Sequence, residues 1–142
     1  MNPEEKIILV ADDDLDDQEM LEEVFLGIEK DALIHTVSSA REALEYLKNC
    51  SPEYLPCLII LDYNMPDLTG AQLTEMIAQN KFYRHIPILV WSTSNSSINK
   101  QECEEKGAKQ YFYKPHEYRE VVEMARQMLS YCNGNAKTVG SI

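Results

Sequence analysis

The chain alternates a short apolar run with an amphipathic stretch, and it does so five times. Lys6–Ala11, Ala32–Val37, Pro56–Leu61, Ile86–Trp91 and Lys109–Tyr113 read as strands. Leu15–Gly27, Ser38–Asn49, Thr69–Asn80, Ser97–Lys106 and Glu117–Cys132 read as helices. In the first of these, Leu15, Met20, Leu21, Val24 and Phe25 recur at helical spacing. Ser38 or Ser39 can cap the second helix, and Gly107 ends the fourth in the position a helix C-cap prefers. Strands that are apolar along their whole length need cover on both faces, and helical connections between them bring the chain back parallel. The pattern therefore predicts an α/β fold, a doubly wound five-stranded parallel sheet with five helices and right-handed crossovers. A closed eightfold barrel would need about twice this length. One domain, residues 1–132, accounts for the pattern, with 133–142 a polar, flexible tail.

In open α/β sheets, ligands bind beyond the carboxyl ends of the strands. Here the first strand ends in Asp12-Asp13-Asp14, the third in Asp62, the fourth in Ser92 and the fifth in Lys114-Pro115. Asp12, Asp13 and Asp62 can meet at one point if strands one and three are neighbours, as in the flavodoxin-like order 2-1-3-4-5. Crowded carboxylates repel unless a cation relieves them. Three carboxylates without Cys or His favour a hard, oxygen-loving ion, Mg²⁺ or Mn²⁺. A carboxylate beside such an ion can act as a nucleophile on phosphorus, which assigns that role to Asp62. Ser92 can donate to a phosphoryl oxygen, and Lys114 can pair with it as a point charge. Asp14, Asp16 and Asp17 are read instead as residues that start the first helix, where acids suit its dipole. Asp12, Asp14, Asp16 and Glu23 also fall at calcium-loop positions. Asp17, however, stands where that loop needs a glycine, and Ile7–Ala11 reads as a strand.

Charge and cysteine usage narrow the function. Acids outnumber Lys and Arg by 24 to 13, for a formal charge of −11. Such a field repels phosphate backbones and anionic membrane surfaces, so neither direct nucleic-acid binding nor membrane association is expected. Met1–Lys6 carries no secretory pattern, and the expected location is cytoplasmic. Cys50, Cys57, Cys103 and Cys132 are scattered without a CxxC pair, and they are expected to be reduced, mostly buried or half-buried thiols. His35, His85 and His116 are read as surface or packing residues.

At these residues the sequence resembles the receiver domain of two-component response regulators, from about Lys6 to Leu129. The acidic pair looks like Asp12 and Asp13. The phosphoacceptor motif is similar to Leu61-Asp62-Tyr63-Asn64-Met65-Pro66-Asp67-Leu68-Thr69-Gly70. The hydroxyl position matches Ser92, and the Lys-Pro pair looks like Lys114-Pro115. The resemblance implies Mg²⁺ held by Asp13, Asp62 and the Asn64 backbone carbonyl, with Asp12 acting through water. It implies phosphoryl transfer to Asp62 from a histidine kinase or phosphotransfer protein. It further implies a cis peptide at Lys114-Pro115 and a switch in which Ser92 moves and Tyr111 follows. The readout surface would then be the fourth helix, fifth strand and fifth helix. Thr69 departs from the Asp common before the glycine, and His116 from the apolar residue common after Lys-Pro. The expected protein is a stand-alone receiver that acts by docking to a downstream protein target, catalysing only its own phosphorylation and dephosphorylation.

Three alternatives are weighed. A Mg²⁺-dependent phosphohydrolase with an aspartate nucleophile needs a second Asp two residues on, where Asn64 stands. A flavin-binding module needs a phosphate-friendly first loop, and three aspartates there would repel the phosphate. A scaffold pseudo-receiver is disfavoured because every acceptor-site residue is present.

Overall fold

Side-chain alternation decides how this sheet is covered. In β1 (Ile7–Ala11) and β3 (Leu58–Asp62) every residue is buried, so both faces of these strands must be packed. In the computed structural model, the backbone is described for residues 6–140 and the side chains for residues 6–132. The two central strands are joined by β2 (Leu33–Val37), β4 (Ile88–Ser92) and β5 (Gln110–Tyr113). All pairings are parallel, and the order is β2-β1-β3-β4-β5, as expected.

Ile8, Val10, Leu58, Ile60, Leu89, Trp91 and Phe112 point to one face. There they meet α1 (Leu15–Ile28), through Leu21, Val24 and Phe25, and α5 (Tyr118–Gly140), through Val121, Met124, Met128 and Leu129. Leu9, Ala11, Ile59, Leu61, Ile88 and Val90 point the other way. They are covered by α2 (Ala40–Asn49), α3 (Gly70–Ala78) and α4 (Ser97–Lys106). Only the edge strand β2 alternates in exposure, with Leu33 left 39% exposed.

The helix ends follow the local chemistry. Asp14 caps α1, its carboxylate accepting from the N–H groups of Asp16 (2.9 Å) and Asp17 (3.2 Å). Ser39, rather than Ser38, caps α2 by accepting from Glu42 N–H. Gly107 ends α4 at φ 121°, a conformation that costs a side chain dearly. A 3₁₀ turn at Pro52–Tyr54 was not anticipated; Pro52 begins it, where the missing N–H is no loss.

Two expectations are corrected. Cys57 and Cys132 form a disulfide, with Cα atoms 5.3 Å apart, whereas Cys50 and Cys103 are free. The pair is separated by 75 residues. Packing of α5 across the start of β3 brings it within bridging range, which no sequence spacing reveals. The Lys114–Pro115 bond is trans, because no cis peptide occurs among the described residues. The trans preference of an X–Pro bond is only about 0.5–1 kcal/mol, so the dipeptide itself does not dictate the isomer. The expected polar tail falls on residues whose side chains lie outside the description. Among the described residues, no helix is long and apolar enough to cross a membrane.

Candidate functional site

Strand register builds the site. Ala11 pairs with Leu61, so Asp12 and Asp62 leave the sheet side by side. Asp62 pairs with Trp91 and Ser92 with Tyr113, which places Ser92 and Lys114 one step further along the same edge. The alternation that turns Val10, Ile60 and Phe112 toward α1 and α5 also turns Asp12, Asp62 and Lys114 that way. The carboxylates of Asp12, Asp13 and Asp62 each bring an oxygen within 4.8 Å of the others. Asp12 and Asp62 are buried, and Asp13 is exposed.

Lys114 is the counter-charge. Its Nζ lies 2.9 Å from Asp12 Oδ2, 2.8 Å from Asp17 Oδ2 and 3.4 Å from Asp62 Oδ1. It also sits 4.6 Å from the centre of the Trp91 ring, a cation–π distance. Reading Asp17 as only a helix-start residue is therefore corrected. From the first turn of α1 its carboxylate reaches over the pocket to the ammonium. The signal available in the sequence was its place three residues after the Asp14 cap, which turns it back toward the strand end.

Burial and mutual repulsion set the protonation of the acids. Asp62 is pushed up to about 7, first by burial and then by the neighbouring Asp12 charge, against the pull of Lys114. Asp12 is also raised, chiefly by burial. Burial works against the Lys114 charge, yet Asp17 and Asp12 hold it protonated above the ordinary lysine range. An oxygen-only trio with one partial counter-charge fits a hard divalent cation, and the donor set contains nothing that would favour a softer metal.

The loops around the acids are fastened. Gly70 N–H donates to the Tyr63 carbonyl at 2.7 Å, and a Cβ on Gly70 would lie 2.8 Å from the Asp62 carbonyl oxygen. Asn64 forms an isolated bridge with Thr69, and its backbone N–H favours the charged form of Asp62, partly offsetting burial. Thr69 and Gln72 close a capping box on α3. The Asp67 carboxylate accepts from the N–H groups of Ala40 (3.0 Å) and Arg41 (2.9 Å), which docks this loop onto α2. Buried Gln18 donates through Nε2 to the carbonyls of Asp12 (2.5 Å) and Val37 (3.0 Å), tying the first two strand-end loops together. The Asp67 ties to α2 and the Gln18 tie to Val37 join segments 19 to 27 residues apart, beyond the reach of a local sequence pattern.

Ser92 is fully buried; its Oγ accepts from Ser94 N–H at 3.0 Å, and its carbonyl accepts from Lys114 N–H at 2.7 Å. Tyr111 is half-buried, and its hydroxyl donates to the Ser94 carbonyl at 2.8 Å. The residues selected from sequence at the four strand ends thus meet at one edge, with Tyr111 bound to the loop beyond Ser92. Pro115 follows Lys114 directly.

Comparisons with known proteins agree with this geometry. The family model for the response regulator receiver domain matches residues 8–126. The chain is 29% identical over 137 residues to the two-component response regulator ARR8 of Arabidopsis thaliana, covering 86% of this chain and 60% of that protein. It is 31% identical over 121 residues to ARR7 of the same plant, covering 80% of this chain and 58% of that one. The chain therefore spans somewhat under two thirds of the length of these two relatives. Among solved structures, the phosphorylated cyanobacterial phytochrome response regulator RcpA superposes with a TM-score of 0.82 at 22% identity, covering 92% of this chain and 96% of that one. The Mn²⁺-bound form of response regulator Rcp1 superposes with a TM-score of 0.75 at 24% identity, covering 88% and 92%. At those identities the likeness speaks for the fold. With the family model spanning nearly the whole described chain, this protein belongs to the response regulator receiver domain family of two-component signalling.

Proposed function

We propose that Asp62 accepts a phosphoryl group from a histidine kinase or phosphotransfer protein, and that the phosphorylated form changes which downstream protein target the domain docks to. The observation that carries this reading is the buried Asp62 carboxylate set between two acids and an ammonium. A Mg²⁺ or Mn²⁺ ion held by Asp13, Asp62 and the Asn64 carbonyl, with Asp12 acting through water, would neutralise charge on the transferring group. Among the solved structures that share this fold, RcpA is phosphorylated and Rcp1 holds Mn²⁺, which suits this assignment.

In the transfer, an Asp62 carboxylate oxygen forms a bond to phosphorus as the phosphorus–nitrogen bond of the donor imidazole breaks and the imidazole leaves with the electron pair. Lys114 is already 3.4 Å from Asp62 and would shift onto a phosphoryl oxygen. Ser92 accepts from Ser94 through its oxygen, which leaves its proton to donate to a second phosphoryl oxygen. Movement of Ser92 would drag the Ser94 carbonyl that Tyr111 holds, passing the change to β5. Such a switch needs two states that the phosphoryl group binds unequally.

The test is incubation with acetyl phosphate and Mg²⁺, followed by intact-mass measurement. The native chain gains the mass of one phosphoryl group and Asp62→Asn gains none. Labelling of the Asn variant at the native level removes Asp62 from this role, and no labelling of the native chain points to the scaffold reading.

A further inference from the structure

We propose that Cys57 and Cys132 are a reversible thiol–disulfide site, closed by small-molecule disulfides such as oxidised glutathione, which fastens the C-terminal half of α5 to the start of the acceptor strand. Cys57 immediately precedes β3, and Cys132 lies in α5; their Cα atoms are 5.3 Å apart, inside the range a disulfide spans without backbone movement. The Cys57 backbone is itself held in the sheet, its N–H donating to the Ile7 carbonyl at 2.8 Å. Both side chains join the apolar cluster between the sheet and the α1 and α5 helices.

The bond is not required to complete the fold. Two apolar layers already cover both faces of the sheet. A chain of 142 residues is well above the size at which domains depend on such staples. What the bond adds is a constraint: it closes a loop of 75 residues that contains β3, α3, β4, α4 and β5. Because α5 begins at Tyr118, close after Lys114, the helix fastened at Cys132 is the one that leaves the acceptor pocket.

Accessibility orders the chemistry. Cys57 is half-buried and within reach of solvent, whereas Cys132 is 5% exposed. The Cys57 thiol loses its proton and its sulfur attacks the small disulfide, forming a mixed disulfide and expelling one thiolate. Cys132 then loses its proton and attacks the Cys57 sulfur, expelling the second thiolate. Two protein thiols are oxidised, the reagent disulfide is reduced to two thiols, and those thiolates take up the two protons. The other cysteines make poor competitors. Cys103 is fully buried, and burial pushes its thiol up to about 12; burial also raises Cys50.

The experiment uses the full chain, reduced and then treated with oxidised glutathione, unfolded in N-ethylmaleimide and weighed intact. The reduced chain takes four labels; the oxidised monomer takes two, and peptide mapping finds the label on Cys50 and Cys103. In parallel, the oxidised chain melts about 10 °C above the reduced one, while Cys57→Ser melts the same under both conditions. A second variant, Cys132→Ala, behaves like Cys57→Ser. The proposal is overturned if four labels persist after oxidation, if Cys50 is blocked instead, if the product is a disulfide-linked dimer, or if a bond once formed leaves the melting temperature unchanged.

Discussion

Lys114 holds its ammonium 2.8 Å from Asp17, closer than the 3.4 Å that separates it from Asp62. Any phosphoryl group arriving on Asp62 must draw the ammonium partly away from Asp17. Replacing Asp17 by Asn keeps the shape but weakens a charge-assisted bond to a neutral one. Asp17→Asn is therefore expected to tighten the binding of beryllofluoride, a phosphoryl mimic, in the presence of Mg²⁺ by roughly fivefold, about 1 kcal/mol. Equilibrium titration measures this, and unchanged or weaker affinity means that Asp17 does not compete for Lys114.

Trp91 is the only tryptophan in the chain, and Lys114 sits over its ring. A divalent ion that attracts Asp12 and Asp62 redistributes the charge around Lys114, so Mg²⁺ titration should change Trp91 fluorescence. Asp13 is exposed and touches neither Lys114 nor the core, which makes it the cleanest carboxylate to remove. Asp13→Asn should raise the Mg²⁺ dissociation constant at least about tenfold, near 1.4 kcal/mol, with the melting temperature little changed. A variant that binds Mg²⁺ as the native chain does would exclude Asp13 from the ligand set.

Asp62 titrates near 7 in the fold, against an ordinary value of 3.8. The folded chain therefore binds this proton more tightly than the unfolded chain does. Through this group, stability falls as pH rises from about 4 to about 7 and stays low above that. Asp62→Asn removes the charge and should stabilise the metal-free protein by on the order of 2 kcal/mol at pH 8, or roughly 6 °C. The gain should shrink by more than half at pH 5, where the native carboxyl is already largely protonated. Thermal melts in chelator at the two pH values decide this, and a gain independent of pH would assign it to packing instead.

Gly70 is required by space rather than by dihedral freedom. A Cβ there would meet the Asp62 carbonyl oxygen at 2.8 Å and Tyr63 Cα at 3.0 Å, both of them backbone atoms. Gly70→Ala must push the acceptor loop away from α3, at a cost of about 1–3 kcal/mol. Lower acetyl phosphate labelling should accompany the lower melting temperature. An unaffected melt would show that the loop relaxes freely.

Asp67 serves α2 from another loop. Burial opposes its charge, but the N–H groups of Arg41, Ala40, Asp67 itself and Leu68 together outweigh it and hold its carboxyl below the usual value. Its stabilising effect is present at neutral pH and is lost as pH falls through that lowered value. Asp67→Ala should cost about 0.5–2 kcal/mol, the range for loss of a helix cap. Chemical denaturation at pH 7 checks the magnitude.

The strands, the helices and their order were readable because each rests on a local signal. Continuous apolar runs need cover on both faces, caps such as Ser39 and Gly107 act within one turn, and crossovers have one hand. Polar residues at strand ends were equally plain, since Asp12, Asp62, Ser92 and Lys114 each break an apolar run. Strand order was less direct: it entered through the need to bring Asp12 and Asp62 together, and the register of β1 with β3 does so.

What the chain alone determined, then, was which residues gather at the carboxyl edge, because that follows from where each apolar run stops. Only the folded molecule decided how they pair. It gave Lys114 to Asp17 as well as to Asp12, joined Cys57 to Cys132, and set Asp67 on α2. The reason is distance along the chain. Hydrogen bonds, ion pairs and disulfides act over a few ångströms, and partners separated by 26 to 102 residues are chosen by packing, not by spacing.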